Sequence, residues 1–513
     1  MKPAHCLPIA LLSLAGAAEA RPAGAQVPRA KQQKEHPLAY VVTRSGLEPP
    51  GLDGGRTELE MCDVDGDGHV DLGSVGDHGS PLIGSSQHGI MIWFGDGRGS
   101  FAVQMRGDFG YGGIAFGDVD GDGLVDAGYG VHHDYSSSDF GDQLIEVALG
   151  DGSGTGWTPW DDGLATGGET YGMMGTDFAD IDADGDLDLA SNSFGCCNGV
   201  HVYENHMDGT WTWSFGASGG NSDEDVTFAD VDGDGHFDLV AGAQVGTVWR
   251  GDGTGSFAAA DGNLPADSWY GTDAGDVDGD GRDEISFTGL AGGVRIFAWG
   301  PGDVWSSVSA GLPASGPYQR TQLRDMDLDG NLDVAALGEG QLAVFLGDGR
   351  GNWHQAVALD VPGGGSRWAE AFEAGGDLDH NGFPDLALVQ DEYTFLGGGT
   401  NELYVLLEAS TPTELTLAPV APGRGRVWRG GQVRFVEWAS AAPAADPSTL
   451  SVEFSSTGPN GPWRPIATDV PNNGRVQIVA PSGVSSGDCR LRYRLATTTG
   501  SRTAIGRRFT LVP

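Results

Sequence analysis

The chain has 513 residues, a formal net charge of −44, 87 glycines and 26 prolines. Its length allows more than one hydrophobic core, and its acidity argues against binding to nucleic acid or to an anionic membrane surface. Glycine recurs at fixed offsets beside short apolar runs, so turns between strands explain it better than low complexity does.

The first twenty residues have the parts of a secretory signal peptide. Lys2 supplies the positive start, residues 7–18 form a short apolar run, and Ala18-Glu19-Ala20 is a small-residue cleavage site. No stretch reaches the roughly 18 apolar residues that a membrane-spanning helix needs. We therefore expect a signal peptide at 1–20, a linker at 21–37, and a mature chain without a membrane span, secreted to the extracellular space or cell surface.

The clearest motif is the acidic stretch from Asp230 to Leu239. Acids occupy its first, third, fifth and ninth positions, and Gly235 occupies the sixth. This pattern is typical of a calcium loop, in which short carboxylates converge on one hard cation, glycine permits a sharp turn, and the seventh carbonyl points inward. The ninth acid is expected to close the cage.

The chain carries seven such loops, and their first residues are separated by 55, 62, 50, 46, 49 and 52 positions. A period near 50 residues is typical of propeller blades or solenoid units. We expect up to seven structural Ca²⁺ ions. The predicted ligands are Asp63, Asp65, Asp67 and Asp71; Asp118, Asp120, Asp122 and Asp126; Asp180, Asp182, Asp184 and Asp188; Asp230, Asp232, Asp234 and Asp238; Asp276, Asp278, Asp280 and Glu284; Asp325, Asp327, Asp329 and Asp333; and Asp377, Asp379, Asn381 and Asp385.

Short strand-like runs flank every loop. Around the fourth loop, residues 226–229 lead in, 237–241 lead out, 246–250 form a third run, and Phe257 opens a fourth after a glycine turn. Four antiparallel strands per unit, repeated seven times, predict an all-β fold with a seven-bladed β-propeller over residues 38–410.

The seventh unit ends without a fourth strand. Residues 39–47 resemble the fourth-strand segments of the other units. We therefore predict that this N-terminal strand pairs into the seventh blade, which removes a free edge from the ring.

The acids, glycines and flanking strands, seen best in the stretch from Ala115 to Gly123, resemble the FG-GAP/VCBS repeats. These are the calcium-binding propeller units of integrin α heads and of many exported bacterial proteins. The resemblance implies adhesion, ligand binding or carbohydrate recognition, and less often catalysis. The Gly-Ala-Pro sequence of many integrin repeats is absent, and Ala241-Gly242-Ala243 is the nearest approach.

Composition changes near residue 410. Residues 411–513 contain twelve Arg, no Lys and six acids, a balance of +6, so the first 410 residues carry −50. A shift of this size indicates a domain boundary. Seven alternating apolar runs, beginning at 414–417, predict a β-sandwich that resembles immunoglobulin or fibronectin type III domains.

The loops are expected to hold the blades together and to take no part in chemistry. Carboxylates 4 Å apart repel by about 4 kcal/mol at an effective dielectric near 20, so calcium binding and folding should be linked. The seventh loop should bind most weakly, because Asn381 replaces an acid and Pro384 restricts the turn.

Two groups of polar and aromatic loop residues suit a metal or a sugar, although a solvated loop and blade-packing tryptophans are the plainer interpretations. The first group is His132, His133, Asp134 and Tyr135, and the second is Asn192, His201, Asn205, His206, Trp211 and Trp213.

The chain also has two neighbouring cysteines, Cys196 and Cys197. They form either a vicinal disulfide or two thiols.

These features favour a non-catalytic binding or adhesion module whose partner is an extracellular glycan or protein. The alternative is a propeller-type polysaccharide lyase or glycoside hydrolase, and a third possibility is a structural envelope protein. A deep funnel with Arg, Lys, His or Tyr beside calcium favours the enzyme, whereas a shallow uncharged funnel favours binding. No catalytic residue is assigned.

Overall fold

In a computed structural model of the chain, the structure describes residues 37–47, 51–52, 58–76, 89–104, 108–109, 112–131, 140–169, 173–193, 199–217, 225–243, 247–267, 269–338, 340–361, 371–391, 401–442 and 447–513. Within these ranges every regular element is a β-strand. None of the described elements is an apolar helix long enough to cross a membrane.

The strands of the first half alternate with glycine-rich turns. They are β1 (Tyr40–Thr43), β2 (Gly51–Leu52), β3 (Glu60–Cys62), β4 (Asp71–Val75), β5 (Ile90–Gly95), β6 (Phe101–Val103), β7 (Asp108–Phe109), β8 (Ile114–Gly117), β9 (Asp126–Gly130), β10 (Ile145–Gly150), β11 (Trp157–Pro159), β12 (Met173–Ala179), β13 (Asp188–Ser193), β14 (Val200–Asn205) and β15 (Trp211–Ala217).

The strands of the later repeats follow the same rhythm. They are β16 (Val226–Ala229), β17 (Asp238–Ala241), β18 (Val248–Gly251), β19 (Phe257–Ala259), β20 (Trp269–Gly275), β21 (Glu284–Gly289), β22 (Val294–Gly300), β23 (Val304–Ser307), β24 (Arg320–Arg324), β25 (Asp333–Gly338), β26 (Gln341–Gly347), β27 (Trp353–Asp360), β28 (Ala371–Ala374), β29 (Leu386–Asp391) and β30 (Asn401–Glu408).

These strands form seven four-stranded antiparallel sheets typical of propeller blades. Sheets 1 to 6 are β3–β6, β8–β11, β12–β15, β16–β19, β20–β23 and β24–β27, each in sequence order. Sheet 7 has the order β28-β29-β30-β1, and β2 pairs with β7 in a separate parallel ladder. The first strand of each sheet contacts the first strands of the sheets before and after it, and β28 of sheet 7 contacts β3 of sheet 1.

The N-terminal strand completes sheet 7, as predicted. Tyr40 pairs with Glu408, and Thr43 pairs with Val405, in antiparallel register. The start and end of the repeats are therefore joined by backbone hydrogen bonds, and β30 is not left as an open edge.

Seven hydrophobic clusters lie between neighbouring sheets. The cluster between sheets 1 and 7 contains Leu72 and Trp93 from one and Val389 and Val405 from the other. Each of the remaining six also takes buried side chains from two successive sheets. No single sheet could bury both of its faces alone, so the repeats stabilise one another.

The C-terminal region (residues 411–513) forms two sheets around its own core. The three-stranded sheet has the order β31-β33-β36; the other has the order β32-β39-β37-β34-β35, with β38 paired to β37. Residues 414–417, predicted as the first strand, lie just before the observed one. The bounds are β31 (Ala418–Ala421), β32 (Val427–Arg429), β33 (Val433–Ala439), β34 (Ser448–Ser455), β35 (Arg464–Pro471), β36 (Arg475–Val479), β37 (Ser486–Thr497), β38 (Ser501–Ile505) and β39 (Phe509–Val512).

The core of this region lies between its two sheets. Val436 and Trp438 from the smaller sheet pack with Leu450, Leu491 and Phe509 from the larger one. The repeats and the C-terminal region pack together, because residues 37–513 form one compact unit.

Candidate metal centres and central cavity

The first acid of each loop closes the turn in the same way. One carboxylate oxygen of Asp63 accepts a hydrogen bond from the N–H of Gly68 at 3.0 Å, and the corresponding bond occurs in the other six loops. All seven sixth-position glycines have φ between 88° and 103°. A side chain is strained in that conformation, which explains why glycine recurs there.

The second oxygen of the first acid is the observation that fits a cation. This Oδ1 atom is buried without a hydrogen-bond partner in four loops, at Asp63, Asp180, Asp325 and Asp377. A buried anionic oxygen without a partner is costly, and a bound cation removes that cost. In the remaining loops Oδ1 accepts the N–H of the fourth residue, at Asp118, Asp230 and Asp276.

The structure brings the predicted acids together in groups of three. In the first, third and fifth loops, oxygens of the first, third and ninth acids lie within 4.8 Å of one another. In the second and fourth loops the first, third and fifth acids do so instead. Every side chain in these groups offers oxygen, which suits a hard cation such as calcium.

The ninth acid has a second role that the sequence pattern did not predict. Asp71 accepts one hydrogen bond from the N–H of Val64 at 2.9 Å and another from the N–H of Gly95 at 2.8 Å. The same two bonds recur in five other loops. The ninth carboxylate therefore ties the loop to the third strand of its sheet.

Burial makes these carboxyls strong proton acceptors when no cation is present. Burial, with a smaller effect of neighbouring acids, raises the pKa of Asp71 to about 8 against the opposing effect of its two backbone hydrogen bonds. Burial likewise raises the pKa of Asp126 to about 7, of Asp238 to about 8 and of Glu284 to about 9. Near neutral pH, protons and a cation therefore compete for these groups.

The hydrogen bonds of Asn381 explain why the seventh loop carries an asparagine in place of an acid. The Nδ2 group of Asn381 donates to the carbonyl of Glu408 at 2.6 Å, and its Oδ1 accepts the N–H of Phe383 at 2.8 Å. An aspartate could not donate the first of these bonds. The amide therefore fixes the loop to β30, the strand that pairs with β1.

The C-terminal region packs against the acidic loops. Asn473 donates to Asp63 of the first loop at 3.0 Å. Gln477 makes two bonds to the backbone of Asp118 in the second loop: its Nε2 donates to the carbonyl at 2.8 Å, and its Oε1 accepts the N–H at 3.0 Å. In the third loop, Val433 donates its N–H to Asp180 at 2.8 Å.

Arginines of this region contact the fourth and fifth loops. Arg429 and Arg434 each donate to a loop carbonyl at 2.7 Å, those of Asp234 and Gly235. Arg426 forms an ion pair with Asp283 at 2.6 Å.

The C-terminal region also lies close to the sixth and seventh loops. A Cβ placed on Gly330 would lie 1.7 Å from a guanidinium nitrogen of Arg507, and one on Gly382 would lie 2.7 Å from the backbone nitrogen of Ala441. All seven acidic loops therefore lie against the C-terminal region. Its cationic balance next to an acidic set of repeats was the sequence signal for this contact.

A cavity of about 700 Å³ lies between the first strands of the sheets and the C-terminal region. Its walls carry many charges, and none of the described residues that line it is Lys, His or Tyr. The charged residues of the walls outside the acidic loops are Glu58, Glu60, Asp177, Asp225, Asp273, Arg320, Arg324, Glu373, Glu437 and Arg475.

Most of these acids already bond to the neighbouring sheet. Asp177 accepts the N–H of Phe228 at 2.8 Å, and Asp273 accepts the N–H of Leu323 at 2.7 Å. Each carboxylate thus satisfies a backbone donor on the first strand of the next sheet. These backbone hydrogen bonds explain why acids line the cavity walls, and no catalytic role is needed to account for them.

Two cavity arginines are paired with these acids. Arg324 lies 2.9 Å from Asp273 and 3.5 Å from Glu373, and Arg320 lies 3.4 Å from Asp225. Burial raises the pKa of Glu373 to about 7, against the opposing effect of Arg324.

The polar and aromatic residues singled out near the third loop have different roles. Trp211 is buried and donates to the carbonyl of Trp160 at 2.7 Å, as the packing interpretation predicts. Asn205 is buried and donates to the carbonyl of Val119 at 2.8 Å. Trp213 is 45 % exposed.

His201 is buried, and its Nδ1 atom lies 3.1 Å from a carboxylate oxygen of Glu169. His132, His133, Asp134, Tyr135, Cys196 and Cys197 lie outside the described residues. The described cysteines, Cys62 and Cys489, are free thiols.

Comparison with known families finds FG-GAP-like repeats at residues 192–241 and 325–388. The comparison with curated proteins finds no match. The chain is similar to a lectin from Agrocybe aegerita, in a structure concerning recognition of non-reducing terminal N-acetylglucosamine, with 18 % identity, a TM-score of 0.41, and 60 % of this chain and 80 % of that one covered.

It is also similar to the SapL1 lectin, in a complex with α-methyl fucoside, with 12 % identity, a TM-score of 0.34, and 60 % of this chain and 97 % of that one covered. At these scores neither likeness supports a conclusion about this chain. FG-GAP-like repeats thus occur in two regions of a chain that has seven four-stranded antiparallel sheets.

Proposed function

We propose that the chain is an exported, calcium-stabilised seven-bladed β-propeller that acts as a non-catalytic binding module for an extracellular glycan or protein. The observation that carries the proposal is the position of the C-terminal region against all seven acidic loops. Ions held there would act as structural links between the repeats and the C-terminal region.

Calcium fits the loops for two independent reasons. The donor groups are carboxylates, one amide and backbone carbonyls, and four of the loops leave a buried carboxylate oxygen without a partner. The residues that would hold the ions are the acids already named for each loop. A bound ion would neutralise the mutual repulsion of the acids, so that the same loops that destabilise the metal-free chain would stabilise the loaded one.

The closed ring is supported by the contacts between sheets 1 and 7. Their shared hydrophobic cluster and the pairing of β1 with β30 are what a propeller needs at its seam. An immunoglobulin-like or fibronectin-like C-terminal sandwich is supported by two sheets that share one core. Secretion rests on the signal-like N-terminal sequence.

The second candidate is a glycoside hydrolase or polysaccharide lyase, and one observation favours it. Glu373 titrates near neutral pH in a cavity that also contains arginine, and a carboxyl of this kind can act as a general acid. We rank it second because Glu373 is bonded to Gln322 and paired with Arg324, and because most of the cavity acids hold backbone donors.

A glycan array tests the leading proposal. The purified mature chain is applied in millimolar calcium and again after calcium removal. We expect binding to a defined subset of glycans in calcium and loss of that binding without it. Absence of binding to every glycan in calcium would contradict the glycan version, and release of reducing sugar or of an unsaturated product from a bound polysaccharide would establish the enzyme instead.

A further inference from the structure

Among the described residues that line the central cavity, one arginine forms no ion pair with a carboxylate. The guanidinium of Arg475, on β36 of the C-terminal region, lies over the ring of Phe435 with its Cζ 3.5 Å from the ring centre. Its Nε atom is buried without a hydrogen-bond partner. Arg320 and Arg324, the other two cavity arginines, are both paired with carboxylates. Arg475 is therefore held over an aromatic ring, and its guanidinium forms no ion pair within the described ranges.

A glutamate with an unused carboxylate shares the same space. Glu60, on β3, lines the cavity, and within the described ranges its carboxylate makes no hydrogen bond or ion pair. Burial and the charge of Glu373 raise its pKa, whereas the charge of Arg475 lowers it. Glu60 and Arg475 therefore line the same cavity, and no ion pair joins them within the described ranges.

The charges restrict what could lie between these two side chains. The cavity walls outside the acidic loops carry seven acids and three arginines, so an anion would be repelled by the excess of acid. The same excess of acid favours a cation in the cavity as a whole, but beside Arg475 a cation would meet a like charge. A neutral hydroxyl can accept from a guanidinium and donate to a carboxylate, so a polyhydroxylated molecule can satisfy both.

We propose that the central cavity binds a neutral saccharide, with Arg475 donating to one hydroxyl and Glu60 accepting from another. Its volume of about 700 Å³ is within the roughly 300–1,000 Å³ typical of ligand pockets. This inference rests on the proposed glycan-binding function and assigns it a site, one that the C-terminal region completes.

Ligand-observed NMR tests the assignment. The probes are glucose, galactose, mannose, xylose, N-acetylglucosamine and N-acetylgalactosamine, each at millimolar concentration with the calcium-loaded mature chain. We expect at least one of them to bind. We also expect Arg475→Gln and Glu60→Gln each to weaken that binding by about tenfold or more, since the first removes a charged donor and the second replaces one accepting oxygen with a group that only donates.

The matched control is Arg502→Gln, on β38, because Arg502 is exposed and far in sequence from the cavity residues. It should leave the affinity unchanged. The melting temperature of each variant in calcium checks its folding, and Glu60→Gln decides the question if Arg475→Gln does not fold.

The outcomes separate this inference from the proposed function. If array binding persists in both cavity variants, glycan recognition lies elsewhere: the binding module stands and the cavity assignment fails. If none of the six sugars binds, or if neither variant weakens a bound sugar, the assignment also fails. If the unmodified chain binds neither the array nor the sugars, both the function and the site are wrong.

Discussion

The calcium-free chain should lose stability as the pH rises from about 6 to 8. Burial raises the pKa of four ninth-position acids to between about 7 and about 9, namely Asp71, Asp126, Asp238 and Glu284. In the unfolded chain such carboxyls titrate near 4. Across that interval the folded chain binds protons that the unfolded chain does not, so the free energy of unfolding falls with increasing pH.

The size of the effect follows from the number of protons. Each proton held only by the folded chain changes the free energy of unfolding by about 1.4 kcal/mol per pH unit. These four protons alone would contribute about 5 kcal/mol per pH unit near pH 6, and other buried acids with a raised pKa, such as Asp230 and Asp325, add to the slope. This is comparable with the entire stability of a typical domain, about 5–15 kcal/mol.

Calcium should abolish this slope, because an ion replaces the protons and keeps the carboxylates ionised. The assay is thermal unfolding followed by circular dichroism at about pH 6, 7 and 8, on dialysed calcium-free protein and in millimolar calcium. The calcium-free melting temperature should fall with pH while the calcium-loaded one stays level or rises. A calcium-free melting temperature that is constant or increases with pH refutes the reasoning.

Three further predictions concern two side-chain contacts and the N-terminal strand. Gln477→Ala should lower stability in urea unfolding by about 1–2 kcal/mol, because two hydrogen bonds to the backbone of Asp118 are lost; an unchanged midpoint contradicts the docking contact. Asn381→Asp should cost about 1–3 kcal/mol in calcium-free protein, since the carbonyl of Glu408 loses its donor, and calcium should offset part of the loss. Deletion of residues 37–43 should expose the edge of β30 and give oligomers in size-exclusion chromatography; a stable monomer argues against the seam.

The repeats were predictable because their chemistry is local. The glycine at the sixth position is required by the backbone conformation of each loop, as at Gly68, and the acids lie within nine residues of one another. The N-terminal strand was predictable because only one repeat lacked a strand. Sheet patterns repeat along the chain, so the seven sheets follow from the spacing of the loops.

The docking of the C-terminal region was not predictable at the residue level. Gln477 and Asp118 are 359 positions apart, and a glutamine carries no signal of its partner. Only the composition hinted at the contact, since arginine is concentrated beside an acidic set of repeats. The cavity was hidden for the same reason: Glu60 and Arg475 belong to different regions and meet only after both have folded.

The central claim is that calcium in the acidic loops stabilises the fold, and chelation tests it most directly. At tenfold excess over the dissociation constant, one site contributes about 1.4 kcal/mol, so seven sites would supply roughly 10 kcal/mol. Chelation should therefore lower the melting temperature at neutral pH by many degrees, and added calcium should restore it. A melting temperature that does not change on chelation contradicts the account.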